Sequence, residues 1–175
     1  QAVSDGQFDM AAYGITITDE RAEVVDFSDG YINIDQRILV GNEPEGIVDP
    51  ETLDAADCSV GAQTGTTNYD KAVELVGEDS IIAFEQFPFA VQALITGDAC
   101  AVIGDETAGQ GYVGENADEI KLVGDPLSSD QLGFTFDKDS DLVGPFNAAI
   151  AAMKADGTMA ELGNEYFSGA FTITY

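Results

Sequence analysis

Residues 58–106 read CSVGAQTGTTNYDKAVELVGEDSIIAFEQFPFAVQALITGDACAVIGDE, and their pattern decides the fold. Three short apolar runs, 58–63, 81–84 and 99–103, are bounded by Gly, Asp, Glu or Thr and read as strands. Between the first two, Tyr69, Ala72, Val73 and Val76 recur at helical spacing, with Thr67 and Asp70 as a capping box. Between the last two, Pro88 suits a first helical position and residues 89–95 continue a helix to Gly97. A further helix is expected over 107–113, stopping near Gly114, and a short strand over 121–123. Strand and helix alternate, which favours an α/β fold with a parallel sheet.

The flanks are less regular. Upstream, residues 1–6 read as the end of a helix stopped by Gly6, and 8–12 as a strand. Thr18 caps a short helix carrying Arg21, and Val24, Val25 and Phe27 lead into the turn Ser28-Asp29-Gly30. Residues 37–40 read as a strand and 41–50 as a polar linker or crossing loop. Downstream, 132–136 read as a strand and 137–141 as a polar turn. An amphipathic helix follows over 145–156, through Phe146, Ala149, Ile150 and Met153, with Gly157 as its stop. Thr158 and Glu161 form a second capping box, and Met159, Leu162, Tyr166 and Phe167 give the next apolar face.

Composition narrows the chemistry. The chain has 175 residues, 45% of them hydrophobic, so it can fold but contains no apolar run near the ~18–20 residues of a membrane span. Against 33 acidic residues stand 6 basic ones, a net charge of −27. Nucleic acid and anionic membrane surfaces are therefore poor partners, since both are held through Lys and Arg. The acids sit singly between apolar residues, as on a solvated surface adapted to a saline environment. The alternative is a surface that attracts cations or a basic partner. There is no histidine and there are two cysteines, which argues against zinc and excludes His-based triads and general bases. Cys58 and Cys100 are either a disulfide or two buried thiols. Asp137-Lys138-Asp139-Ser140-Asp141 imitates the start of a calcium loop. Leu142 and Ala148 stand where that loop needs Gly and Glu, so it reads as a solvated turn. No metal and no cofactor are expected.

Three places remain for a ligand. In Gly14-Ile-Thr-Ile-Thr-Asp-Glu-Arg21, Arg21 is one of two arginines and offers a two-pronged grip on a carboxylate. Thr16 adds a hydroxyl, and Gly14 lets backbone approach a ligand closely. The alternative for Arg21 is a surface pair with Asp19, Glu20 or Glu23. Thr64-Gly65-Thr66-Thr67, between strand and helix, is either an anion site or ordinary capping, and it lacks the Lys of a nucleotide-binding P-loop. Asp105 lies just past a strand end, where it can hold an ammonium group or cap the next helix.

Residues 14–21 with Val25-Asp-Phe-Ser-Asp-Gly-Tyr31 resemble the lobe-1 signature of family 3 extracellular solute-binding proteins, the polar amino-acid binders of ABC importers. Val60-Gly-Ala-Gln-Thr-Gly-Thr-Thr67 is similar to the opening of their second lobe. Ala93-Leu-Ile-Thr-Gly-Asp-Ala99, leading into Ala101-Val-Ile-Gly-Asp105, is similar to the segment ending in their ligand aspartate. Gly133-Phe-Thr-Phe136 and the stretch from Asp156-Gly-Thr158 to Tyr166-Phe167 match their closing pattern. The resemblance implies an α/β, type II periplasmic-binding-protein-like fold with a complete lobe 2 over 43–130. Lobe 1, over 1–40 and 134–175, is expected to be partial, because the family's first strand and helix have no counterpart here. A hinge is implied near 40–42 and 131–133.

Family roles then map as follows. Arg21 clasps the ligand α-carboxylate with Thr16 and the helix end at Thr66 and Thr67. Asp105 takes the α-amino group with the Gly14 carbonyl, and Gln63 faces the ligand side chain. Tyr13 stands where small residues are common and narrows the pocket. In this frame Cys58 and Cys100 begin neighbouring strands of lobe 2, so a disulfide is expected. The implied protein is extracellular or periplasmic, membrane-anchored at full length, and catalyses nothing. It closes around an amino acid and is recognised by an ABC permease. A partial lobe 1 leaves apolar surface that invites self-association. The competing classes are a receptor ectodomain and a cyclohexadienyl dehydratase-like enzyme.

Overall fold

The computed structural model describes residues 1–42 and 46–166. Its elements are β1 (Met10–Thr16), α1 (Asp19–Ala22), β2 (Asp26–Phe27), β3 (Ile32–Gly41), α2 (Pro50–Asp54), β4 (Val60–Gln63), α3 (Thr67–Val76), β5 (Ile81–Phe84), α4 (Phe87–Thr96), β6 (Ala101–Asp105), α5 (Glu106–Glu115), β7 (Ile120–Phe136), α6 (Val143–Asp156) and α7 (Thr158–Tyr166). Within the described residues these form two compact units, 1–34 with 130–166 and 35–129. The chain passes between them within β3 and again within β7.

The second unit contains residues 58–106. Its strands run in the order β7-β3-β6-β4-β5. Period-2 alternation sends β3 and β6 side chains to opposite faces. Ile38, Val40, Ala101 and Ile103 pack with Leu53 of α2 and Ala72 of α3. Leu39 and Val102 point the other way, onto Ala90, Val91 and Leu94 of α4. Both faces of the sheet are therefore covered, and each fully buried aliphatic side chain stabilises by about 1.5–3 kcal/mol. Gly109 lets α5 approach closely: a Cβ there would lie 3.0 Å from Leu122 and 3.3 Å from Leu39.

The sheet is mixed, not parallel as the alternation predicts. β4 runs parallel to β5 and β6, but β3 is antiparallel to β6, from Gln36 opposite Asp105 to Val40 opposite Ala101. The reason is that β3 is no member of the strand–helix series; it is a crossing strand that enters from the other unit. Cys58 and Cys100 form a disulfide with Cα atoms 6.0 Å apart. They sit just before β4 and β6, which are paired neighbours, and the Cys100 N–H donates to Ser59 O at 3.0 Å.

In the first unit, β1 and β2 both pair antiparallel with the end of β7. Phe136, flanked by both, is fully buried. Tyr31 stacks on Phe134 at 4.8 Å, and Phe146 of α6 meets Phe134 and Phe136 edge-on at 5.7 and 5.0 Å. Burial raises the Tyr31 phenol above its ordinary pKa.

Several local expectations change. Residues 1–6 form hydrogen-bonded turns, not a helix, ending at Gly6 with φ +68°. The end of the expected linker enters α2, opened by an Asp49–Thr52 capping box that holds the Asp49 carboxyl below its usual range. The two short strands at 121–123 and 132–136 are parts of one 17-residue strand, β7. The polar segment between them has no periodicity of its own. Tertiary contacts extend it: Arg37 Nη2 donates to Gly124 O at 2.7 Å, Ser128 Oγ to Gln36 Oε1 at 2.9 Å, and the Ile17 N–H to Gln131 O at 2.9 Å. α5 runs past Gly114 to Glu115, with Asn116 as its C-cap. At α7, Thr158 is the first helical residue and its N–H donates to the Asp156 carboxylate at 2.9 Å, so Asp156 replaces it as the side-chain acceptor. Phe167, 168–175 and 43–45 of the expected linker lie outside the described residues.

Candidate functional site

On the first unit, Thr18 opens α1: its hydroxyl accepts from the Arg21 N–H at 3.2 Å. A four-residue helix cannot form alone, so this cap and its surroundings place Arg21. The guanidinium folds back and donates Nη1 to Thr16 O at 2.9 Å, a carbonyl on a residue only 6% exposed. Gly14 lies where the β1–β7 ladder slips between Ala11 and Ile15, an irregularity of the kind that re-aims backbone groups. Gly14, Thr16 and Arg21 are thus gathered at one end of β1, while Tyr13 is 75% exposed.

On the second unit, the loop after β4 turns at Gly65 with φ +70°. Thr66, not Thr67, is the cap: its hydroxyl accepts from the Tyr69 N–H at 3.2 Å and donates to Gln63 O at 2.7 Å. The Thr67 hydroxyl accepts from Gln36 Nε2 at 3.0 Å. Gln63 donates to Glu85 O at 3.3 Å.

Asp105 stands at the N-cap position of α5, where a carboxylate ordinarily accepts from the first-turn N–H groups. Its side chain makes no cap hydrogen bond. It accepts instead from Asn68 Nδ2 at 2.9 Å. Of the two uses the sequence left open for Asp105, capping is not the one observed. Thr67, Asn68, Asp105 and Gln36 form one cluster, since Gln36 lies opposite Asp105 in the β3–β6 register. The dipole of the ten-residue α3 adds partial positive charge at Thr67.

Gln36, Asn68 and Ser128 escape sequence reading to different degrees. Gln36 follows Ile34 and precedes Ile38 and Val40 on one face of β3, and a polar residue at an apolar-face position was a visible signal. Asn68 and Ser128 carry no such signal. Arg37, the second arginine, is a structural clamp that pairs with Glu106 at 2.9 Å.

The comparisons place this α/β fold among extracellular solute-binding proteins. The chain belongs to the bacterial extracellular solute-binding proteins, family 3, whose family model matches residues 1–169. It is 32% identical over 161 residues to the ABC transporter glutamine-binding protein GlnH of Bacillus subtilis, covering 91% of this chain and 58% of that relative. It is similar to the arginine-, lysine-, histidine-binding protein ArtJ of Geobacillus stearothermophilus, with a TM-score of 0.85 and 31% identity over 95% of this chain and 72% of that one. It is also similar to the ancestral amino acid-binding protein AncCDT-1, described as a precursor of cyclohexadienyl dehydratase. That match has a TM-score of 0.86 and 34% identity, and covers 95% of this chain and 72% of that one. The fold is thus type II periplasmic-binding-protein-like, and the chain spans about three-fifths of the length of the glutamine-binding relative.

Proposed function

We propose that this chain belongs to the extracellular substrate-binding component of an ABC amino-acid importer, and that it holds an α-amino acid without transforming it. The observation that carries the reading is Asp105, a carboxylate at a helix start that is withheld from capping its own helix. Beside it stands Thr67, whose hydroxyl accepts from Gln36 Nε2. In this proposal Asp105 takes the α-ammonium with the Gly14 carbonyl, and Arg21 takes the α-carboxylate with Thr16 and the Thr66–Thr67 helix end. Gln63 faces the ligand side chain. One zwitterion then meets these residues, and bending of the two crossing strands, β3 and β7, accompanies binding. The partner is an ABC permease, which reads the liganded form, and the full-length protein works outside the membrane, anchored to it.

The scattered acidic surface fits work in saline surroundings. Among the described residues no helix is long and apolar enough to cross a membrane.

The test is calorimetric titration of the full-length protein with the twenty common L-amino acids at high salt. Saturable binding of at least one is expected; no uptake of any of them defeats the proposal. A dehydratase reading draws on the likeness to AncCDT-1, and turnover of prephenate or arogenate in the same preparation would establish it in place of a pure binding role.

A further inference from the structure

The way Asp105 is held assigns a role to its neighbour. Asn68 is the second residue of α3, a helix whose start is fixed by the Thr66 cap. From there its Nδ2 donates to Asp105 Oδ1 at 2.9 Å. The other end of the same amide, Oδ1, is buried and has no hydrogen-bond partner. A buried acceptor without a partner loses its hydration for nothing in return, and native structures retain few of them. An apolar side chain of similar volume at position 68 would leave no such acceptor behind. Stability alone therefore does not account for asparagine here; its one productive contact is the carboxylate.

We infer that Asn68 is a positioning residue for Asp105. It occupies one carboxylate oxygen and fixes the orientation of the group before a ligand arrives, so that an ammonium meets a preset acceptor and not a freely rotating one. The amide is suited to this. It is neutral, so it adds no charge that would compete for the carboxylate, and its N–H favours the ionised form of the acid. Gln36 treats Thr67 in the same manner from β3, so both polar groups of this cluster are held by uncharged amides. The inference rests on the proposed amino-acid site, and it adds a residue that the family motifs quoted above do not include.

The test uses the full-length protein with L-arginine, L-glutamine and L-histidine as probes, each beside its counterpart lacking the α-amino group. Wild type, Asn68→Leu and Asp105→Asn are titrated, and unfolding is followed without ligand. Asn68→Leu is expected to weaken amino-acid binding about tenfold. It should narrow the preference over the amine-free counterparts by the same factor and leave the unliganded unfolding midpoint unchanged or higher. Asn68→Ala gives the same readout if the leucine variant does not fold. Wild-type affinity and preference in the position-68 variants, with Asp105→Asn impaired, would overturn the positioning role and leave the site standing. A lower midpoint with an unchanged preference would reduce Asn68 to a structural residue. Full binding by Asp105→Asn, or none by wild type, would remove the site itself and the inference with it.

Discussion

The two units carry the two charged side chains of the proposed site, Asp105 and Arg21, on different amounts of structure. In the second unit, Asp105 ends a central strand of a sheet covered on both faces, and its carboxylate is held by Asn68. In the first, Arg21 sits on a four-residue helix held by the Thr18 cap and by its own reach to Thr16 O. Asp105, the proposed ammonium acceptor, is built on a packed core; Arg21, the proposed carboxylate donor, rides on local hydrogen bonds. Damage to the core should therefore act on the second unit as a loss of stability. Damage near Arg21 should act as a loss of affinity at nearly constant stability.

The largest expected break is at the disulfide. Cys58 and Cys100 are 42 residues apart, and by chain entropy their bond contributes about 4 kcal/mol. Denaturant titration with and without reductant measures it; a difference well under 1 kcal/mol would mean that the sheet needs no such tie. Next comes Gly104, next to Asp105. A Cβ there would lie 2.5 Å from the Phe87 ring, which packs edge-on to Tyr112 at 5.6 Å. Gly104→Ala should cost about 1–3 kcal/mol through overpacking. Adding Phe87→Leu should recover part of that loss, and strict additivity of the two substitutions would show that the clash is not the cause.

What the sequence made legible divides between elements written locally and those set by distant contacts. In the second unit, residues 81–84 and the Pro88–Gly97 helix were legible because short strands and capped helices are written locally. The Cys58–Cys100 bond needed the family frame, which makes their strands neighbours. In the first unit, the Thr18 cap and the helix stopped by Gly157 were legible for the same local reason; at the crossings, local signals failed. β7 is one strand because Arg37, Gln36 and Ile17 bind its polar middle, contacts between residues far apart in the chain. Arg21, Asp105 and the glycine and threonine motifs were visible as residue types at strand and helix ends. Asn68 was not, because one asparagine in a first helical turn looks the same whether it faces water or a carboxylate.

Smaller effects belong to the first unit. Thr18→Ala removes the α1 cap and should cost about 1 kcal/mol locally. It should speed amide exchange near 19–22 and weaken amino-acid binding; protection equal to wild type would show that α1 is held by something else. The smallest effect concerns acid. Lys138 Nζ, at 2.9 Å, and the Asp139 N–H, at 2.8 Å, hold the Asp26 carboxyl below its ordinary pKa. A lowered folded-state pKa stabilises above the unfolded value, near pH ~3.9, and that contribution is lost as pH falls further through the folded value. Asp26→Asn should therefore lower stability slightly at neutral pH and flatten its decline below pH ~4, as followed by acid titration of the unfolding midpoint. A steeper decline in the variant would reverse the assignment.

In the proposed site, Arg21 receives the carboxylate of the same zwitterion whose ammonium Asp105 receives. The direct measurement is the affinity of wild type and Arg21→Met, in the full-length protein, for the tightest-binding L-amino acid and for its α-carboxamide, which lacks the charge. Wild type should prefer the acid by about 10–100-fold, as hydrogen bonds to charged groups are worth, and Arg21→Met should bind both forms alike. An equal preference in the two proteins would contradict the account.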